Sequence, residues 1–241
     1  MGPTHDAARM TRRYVVEVAG VAGSGKSTLA RMLCRDPDWR LADPIHTRTP
    51  EHLALVVRSV PRVLPILAGG LGPGPRLSWP DLKLLAYVSG WHRLIGRRPE
   101  YERGVTLLDQ GPIYALVRLK AQAKNVTTRA PFERWWNEML ERWSHELGAV
   151  VWLDAPDRVL WERINGRVQP HTTKGGPPDT GHRFISTYRR LFEEILHRLD
   201  VPDGPEILRF DTGATPTEDI AERLRPTLLA RSTSSVDGRG E

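Results

Sequence analysis

The sequence predicts an α/β fold, a mostly parallel five-stranded sheet with helices on both faces and a helical insertion. Three observations predict it. Apolar, β-branched runs alternate with helical patterns along most of the chain, as in strands joined by crossover helices. Several runs are continuous rather than alternating, for example Val150-Val151-Trp152-Leu153, which suits strands buried on both faces. The first run, Tyr14 to Ala19, breaks into Gly20-Val21-Ala22-Gly23-Ser24-Gly25-Lys26-Ser27-Thr28 and then into the helical pattern Leu29-Ala30-Arg31-Met32-Leu33.

Residues 1–12 are polar and aperiodic and read as a flexible lead-in. The domain then spans 13–230. The first strand and helix end near Asp36-Pro37, because proline cannot continue a helix. Trp39 to Ala42 reads as a second strand meeting Asp43-Pro44. From about 44 to 103 the alternation gives way to a helical insertion, a wall for a second substrate. It holds a helical stretch interrupted by Pro61 and Pro65, the loop Gly69 to Pro75, and a helix opened by Trp79-Pro80-Asp81. Leu84, Val88, Trp91 and Ile95 follow at helical spacing.

Gly104 to Asp109 is a buried strand ending in a carboxylate. Ile113 to Lys124 and Phe132 to Leu147 read as helices, and Trp135, Trp136 and Trp143 on the second as packing residues. Gly148 to Asp154 is a strand, and Pro156 to Val168 a helix carrying Arg158, Arg163 and Arg167. A polar, Gly- and Pro-rich lid loop covers about 169–181. Helix Phe184 to Leu199, strand Ile207 to Asp211 and helix Thr217 to Leu229 complete the domain. The tail 231–241, rich in Ser and Gly, reads as disordered.

The 241 residues are 39% hydrophobic and 27% charged, ordinary values for a globular chain with a buried core. A lone cysteine, Cys34, and no signal-peptide pattern point to the cytoplasm. The most apolar run, Leu53 to Leu71, contains Arg58, Pro61, Arg62 and Pro65, which argues against a lipid-exposed span. The formal net charge of +6 reads as spread along the chain without interleaved aromatics, which disfavours a nucleic-acid partner. His5, His46, His52 and His92 show no metal-ligand spacing.

The loop after the first strand is the G-x-x-x-x-G-K-S pattern of a P-loop, in the strand–loop–helix context that the motif requires. The fold class is therefore the three-layer P-loop NTPase arrangement. Gly20 to Thr28 would close backbone N–H groups around phosphate oxygens, and the following helix would aim its positive end at them. Lys26 would reach the β- and γ-phosphates, and the Ser27 hydroxyl would ligand Mg²⁺. Ligands of such a sheet sit at the carboxyl ends of the strands, which gathers the loop, Asp43, Asp109 and the segment after Asp154 on one edge.

The guanine-reading Asn-Lys-x-Asp and the Ser-Gly-Gly of transport ATPases are both missing from the sequence. Asp109 is followed by Gln110 rather than by a water-activating glutamate, and an amide is a poor base. Transfer to a bound acceptor is thereby favoured over hydrolysis. The remaining pattern resembles the nucleoside and nucleotide kinases, in particular the thymidylate kinase and deoxynucleoside kinase branch, over roughly Tyr14 to Leu229. Leu107-Leu108-Asp109-Gln110 stands where that branch has an Asp-Arg-type motif, and Val151 to Pro156 where a strand leads into the arginine helix and lid. Arg163-Ile164-Asn165-Gly166-Arg167 looks like its Arg-x-x-x-Arg. Phe184 to Leu196 resembles its tyrosine-containing helix, and Asp211-Thr212-Gly213 its adenine-side loop.

The resemblance implies ATP and Mg²⁺, with a small-molecule phosphate acceptor, foremost a nucleoside or nucleotide. Another small metabolite, such as a sugar or an antibiotic, and a non-catalytic ATP-binding regulator are the alternatives, and a homodimer is compatible. It also implies that Arg163 and Arg167, four apart on one helix face, clamp phosphates. Asp109 reads as the Mg²⁺-water ligand and Asp154 as a strand-end cap. Asp43 is a general base or Mg²⁺ ligand, or else the opener of an Asp-Pro turn. His171, Lys174 and Arg183 border the lid. Two departures fall on the acceptor side: Asp43-Pro44 stands for the branch's Glu-Pro, and Gln110 for its arginine.

Overall fold

The structure, a computed structural model, describes residues 14–42, 50–69, 77–97, 101, 104–122, 129–167 and 175–234. Five strands form one sheet: β1 (Tyr14–Gly20), β2 (Trp39–Leu41), β3 (Val105–Asp109), β4 (Ala149–Asp154) and β5 (Glu206–Asp211). Their order is β2-β3-β1-β4-β5 and every pairing is parallel. Central β1 lies in register with both neighbours, Val18 facing Asp109 of β3 and Val151 of β4. The carboxyl ends of β1, β3 and β4 therefore finish side by side.

The period-2 alternation of β1 sorts its side chains between two cores. Val16 and Val18 face α1 (Lys26–Leu33) and α8 (Thr217–Ser234), packing with Leu29, Leu33, Ile220 and Leu224. Val15 and Ala19 face the larger core, built with α3 (Trp79–Arg97), α4 (Pro112–Gln122), α5 (Ala130–Glu146), α6 (Asp157–Gly166) and α7 (Pro178–Leu199). Glu17 shares that second face and is fully buried there. The three tryptophans of α5 are packing residues, as expected. Trp135 Nε1 donates to Ser89 Oγ and Trp143 Nε1 to the Val88 carbonyl, each at 2.9 Å.

α2 (Pro50–Gly69) and α3 form the helical insertion. α2 runs through Pro61 and Pro65 as one helix, in keeping with the apolar, proline-containing packing helix that the run suggests. Its inward residues Leu55, Val63 and Ile66 are buried, and this packing offsets the lost backbone bonds. α3 begins with a capping box, Ser78 N and Oγ both donating to Asp81 Oδ2, at 3.0 and 2.5 Å. Among the described residues no helix is long and apolar enough to cross a membrane.

Three boundaries differ from expectation. α6 stops at Gly166, so Arg167 is extended, at φ −71° and ψ 149°, rather than a turn beyond Arg163 on one helix face. α7 starts at Pro178, so the last residues of the expected lid are helical; the stretch 168–174, with His171 and Lys174, lies outside the described residues. α8 continues to Ser234, into the expected tail.

Candidate active site

The loop between β1 and α1 has the backbone that an anion cradle requires. Gly23 and Gly25 have φ of 91° and 90°, a left-handed region costly for any residue with a Cβ. A Cβ on Gly23 would lie 2.8 Å from the Leu160 carbonyl oxygen of α6, so the loop can pass beneath that helix only as glycine. Gly25 is the N-cap of α1, with no side-chain cap and no acidic residue in the first turn. The first N–H groups of α1 and its dipole are therefore left to an external anion.

Lys26 is buried and donates to the Val21 carbonyl at 2.9 Å. Burial lowers its pKa to about 8, with neighbouring Arg167 acting in the same direction and Asp109 opposing. Asp109, at the end of β3, thus stands near Lys26, and its Oδ1 is buried with no hydrogen-bond partner. The Ser27 side chain is exposed and lines the adjoining cavity. An orphaned carboxylate oxygen and a free hydroxyl, oxygen donors beside a phosphate cradle, fit Mg²⁺. Asp154 does not compete for that role. It is bound by Arg189 of α7, with Nε to Oδ2 at 2.6 Å and Nη2 to Oδ1 at 3.2 Å, and Arg189 also holds Asp157. It is a strand-end tether, as expected.

Two cavities flank the cradle and meet at Gly25, Thr28 and Arg167. One, of about 470 Å³, lies between Gly23, Arg163, Gly166 and Thr217. The other, of about 550 Å³, runs from Lys26, Ser27 and Arg31 to Gln110, Tyr114, Phe184 and Tyr188. Phe184 and Tyr188 stack at 4.3 Å between centroids, 32° apart in plane. Arg167, shared by both cavities, sits where a group passing between them would lie.

Arg163 is placed otherwise than a phosphate clamp. Its Nη1 donates to Thr212 Oγ1 and its Nη2 to the Thr212 carbonyl, both at 2.9 Å, while Nη1 also reaches the Gly23 carbonyl at 3.4 Å. Thr212 in turn donates through N and Oγ1 to the Asp154 carbonyl at 2.8 and 3.1 Å. Arg163 thus ties the cradle to the loop after β5. Asp43 lies outside the described residues. Cys34 is half-buried, with burial pushing its thiol up to about 11; it is inert packing, as expected.

Sequence reasoning missed Tyr114, Phe184 and Tyr188 as site residues. Their one signal was the position of Phe184 and Tyr188 on the helix after the lid. It also missed Glu17, buried behind the site. Its carboxylate accepts the Ile113 N–H at 2.8 Å and the Tyr114 N–H at 2.9 Å, at the start of α4. Burial raises its pKa to about 8 despite those two bonds.

A parallel sheet with this loop has the architecture of a P-loop fold. No protein-family model matches the chain. A relative, the 5-hmdU DNA kinase of Pseudomonas phage M6, is 29% identical over 180 residues, covering 72% of this chain and 82% of that protein. Among solved structures, thymidylate kinase from Candida albicans superposes with a TM-score of 0.56 at 15% identity, over 92% of this chain and 93% of that one. Deoxyadenosine kinase from M. mycoides with bound dATP superposes at 0.51 and 14% identity, over 89% and 98%. The chain shares its fold with these two kinases.

Proposed function

We propose that the chain is an ATP-dependent kinase that transfers the γ-phosphoryl group to a hydroxyl of a nucleoside. The observation that carries this reading is the continuity of the larger cavity. Its anion-binding end, at Lys26 and α1, opens directly onto a flat aromatic wall of Tyr114, Phe184 and Tyr188. The donor's adenosine is assigned to the smaller cavity beside Arg163 and Thr217, and the acceptor base to the aromatic wall.

Catalysis is then mainly positioning and charge neutralisation. Lys26 and the first N–H groups of α1 hold the β- and γ-phosphates. Arg167, between the two cavities, meets charge that spreads onto the phosphoryl oxygens during transfer. Ser27 and Asp109 would hold Mg²⁺, which when bound neutralises phosphate charge and aligns the leaving group. Asp43 is the proposed base for the acceptor hydroxyl, on sequence grounds. Gln110, following Asp109, supplies no base for water, which favours the bound acceptor. The reading places the chain in the cytoplasm, where ATP is available.

A second reading has the acceptor nucleoside inside DNA. The relative at 29% identity is named a DNA kinase, and charge favours such a partner. Counted by segment, the +6 is not evenly spread: residues 44–103 contain nine Lys or Arg against four Asp or Glu, five of the six net charges. That segment also exposes Trp79, at 62%, with Lys83 Nζ 5.6 Å from its ring centroid. Basic and aromatic groups together suit a nucleic-acid strand.

The test is ATP consumption with a panel of free nucleosides, nucleoside monophosphates and an oligonucleotide containing 5-hmdU. Acceptor-dependent ADP release supports the kinase reading, and the acceptor used separates its two forms. ATP binding without turnover on any acceptor would replace it with a regulatory nucleotide binder.

A further inference from the structure

Among the described residues, Gln110 is the one non-glycine with positive φ, at 61°. A left-handed backbone at such a residue costs energy and persists only where its surroundings over-determine it. Here they do so from both sides. Asp109 is held by β3, in register with Val18. Beyond Gln110, a Cβ on Gly111 would lie 2.6 Å from Glu17 Oε2, so a larger residue there would displace the Glu17 side chain. The same buried carboxylate takes the N–H groups of Ile113 and Tyr114. The β3–α4 turn is thereby braced by the buried Glu17 side chain, and Gln110 stands in the wall of the larger cavity.

Among the described residues, the cations lining that cavity belong to the P-loop, α1 and the end of α6. They are Lys26, Arg31 on α1, whose Nε donates to the Ser27 carbonyl at 3.0 Å, and Arg167 at the junction of the two cavities. Gln110, Tyr114, Phe184 and Tyr188 line the same cavity and carry no charge; Arg118, which acts on Tyr188, donates its Nε to Gln122. An acceptor that carries its own phosphate brings a second multiply charged anion beside the triphosphate. Gln110 is exposed, and beside the triphosphate such a group is repelled unless a cation stands next to it. A carboxamide instead offers one donor and one acceptor, which suit a base edge or an alcohol.

We infer that Gln110 is a specificity-determining residue for the acceptor: its amide, displayed by the Glu17-braced turn, admits an uncharged nucleoside hydroxyl and discriminates against a nucleoside monophosphate. This rests on the kinase reading above, in the form in which the acceptor is a free nucleoside. Glu17 is a positioning residue that acts through the turn.

The experiment compares steady-state kinetics of the full chain and of Gln110→Ala, Gln110→Gly and Gln110→Arg. Acceptors are free nucleosides, their 5′-monophosphates and a 5-hmdU oligonucleotide. Calorimetric titration of nucleoside and monophosphate into the complex with a non-hydrolysable ATP analogue runs in parallel. The wild type is expected to prefer hydroxyl acceptors over monophosphates. Gln110→Ala lowers kcat/KM for the acceptor by about tenfold, the worth of one well-made hydrogen bond, and leaves the KM for ATP unchanged. Gln110→Gly, which relieves the backbone, is at least as stable as wild type and equally impaired, so misfolding cannot account for the loss. Gln110→Arg shifts preference toward monophosphates. Preference of the wild type for monophosphates, or an unchanged acceptor KM and kcat in both Gln110→Ala and Gln110→Gly, overturns the assignment. If no acceptor turns over, the kinase reading fails; the titration still decides Gln110 separately, since equal or tighter binding of the monophosphate sinks it.

Discussion

The Glu17 carboxylate accepts the backbone N–H of Ile113 at 2.8 Å, across 96 residues of sequence. One buried group on the central strand thus caps the helix that follows the Asp109 turn. Tyr87 and Asp109 are among the titratable groups that interact with Glu17.

That burial has a pH signature. The Glu17 pKa is about 8 in the folded protein against 4.5 when solvated. Between those values the folded state holds a proton that the unfolded state has released, so rising pH favours unfolding. The stabilisation is complete below about pH 4.5 and is lost as pH rises through about 8. Against Glu17→Gln, which cannot titrate, wild-type stability should decline across this window by at most about 1.4 kcal/mol per pH unit. Urea melts of both proteins at several pH values read the difference. A constant difference would mean that Glu17 is ionised throughout.

Lys26→Ala is expected to abolish phosphoryl transfer, since the charge that meets the β- and γ-phosphates is gone, while the fold survives. Because the Lys26 pKa is lowered to about 8, affinity for an ATP analogue should be flat below that pH. Above it, affinity should fall toward tenfold per unit, as the free protein must take up a proton to bind. The alanine variant should lack this dependence. Wild-type turnover in Lys26→Ala would remove the cradle from the mechanism.

The two lid-side arginines should separate kinetically. Arg163 is bonded to Thr212 and Gly23 beside the smaller cavity, so Arg163→Ala should mainly raise the KM for ATP. Arg167, between the two cavities, should act on the transferring group. Arg167→Ala should therefore lower kcat by about 100-fold, with a smaller change in KM. The reverse pattern would exchange the two roles.

Asp109→Asn keeps the shape of a half-buried side chain whose buried Oδ1 has no protein partner. It should weaken the Mg²⁺ dependence of the rate by at least about tenfold, with little change in melting temperature. Asp154→Asn should do the opposite, losing Tm with little effect on Mg²⁺ dependence, because its carboxylate is spent on Arg189. Full activity in Asp109→Asn would leave the metal site without its carboxylate.

The sequence by itself determined the sheet, the cradle and the donor side. Those features are local: a β-branched run, glycines at fixed offsets and a lysine at a helix start need only near neighbours to be read. It also placed Asp109 and Asp154 at strand ends, but only the tertiary structure set them apart. Arg189, 35 residues from Asp154, satisfies one carboxylate and leaves the other facing Lys26. Likewise, Arg163 and Arg167 look equivalent by spacing. They part because α6 ends at Gly166 and one guanidinium is taken up by Thr212, directly after β5.

The aromatic wall was illegible for the same reason. Tyr114 lies on α4 and Phe184 and Tyr188 on α7, and no local pattern tells a packing aromatic from one that lines a cavity. Glu17 looks like a polar residue in a strand until the fold puts the start of α4 over it. Contacts between residues a hundred positions apart are set by how the helices close on the sheet, and that closure is a property of the whole packed core.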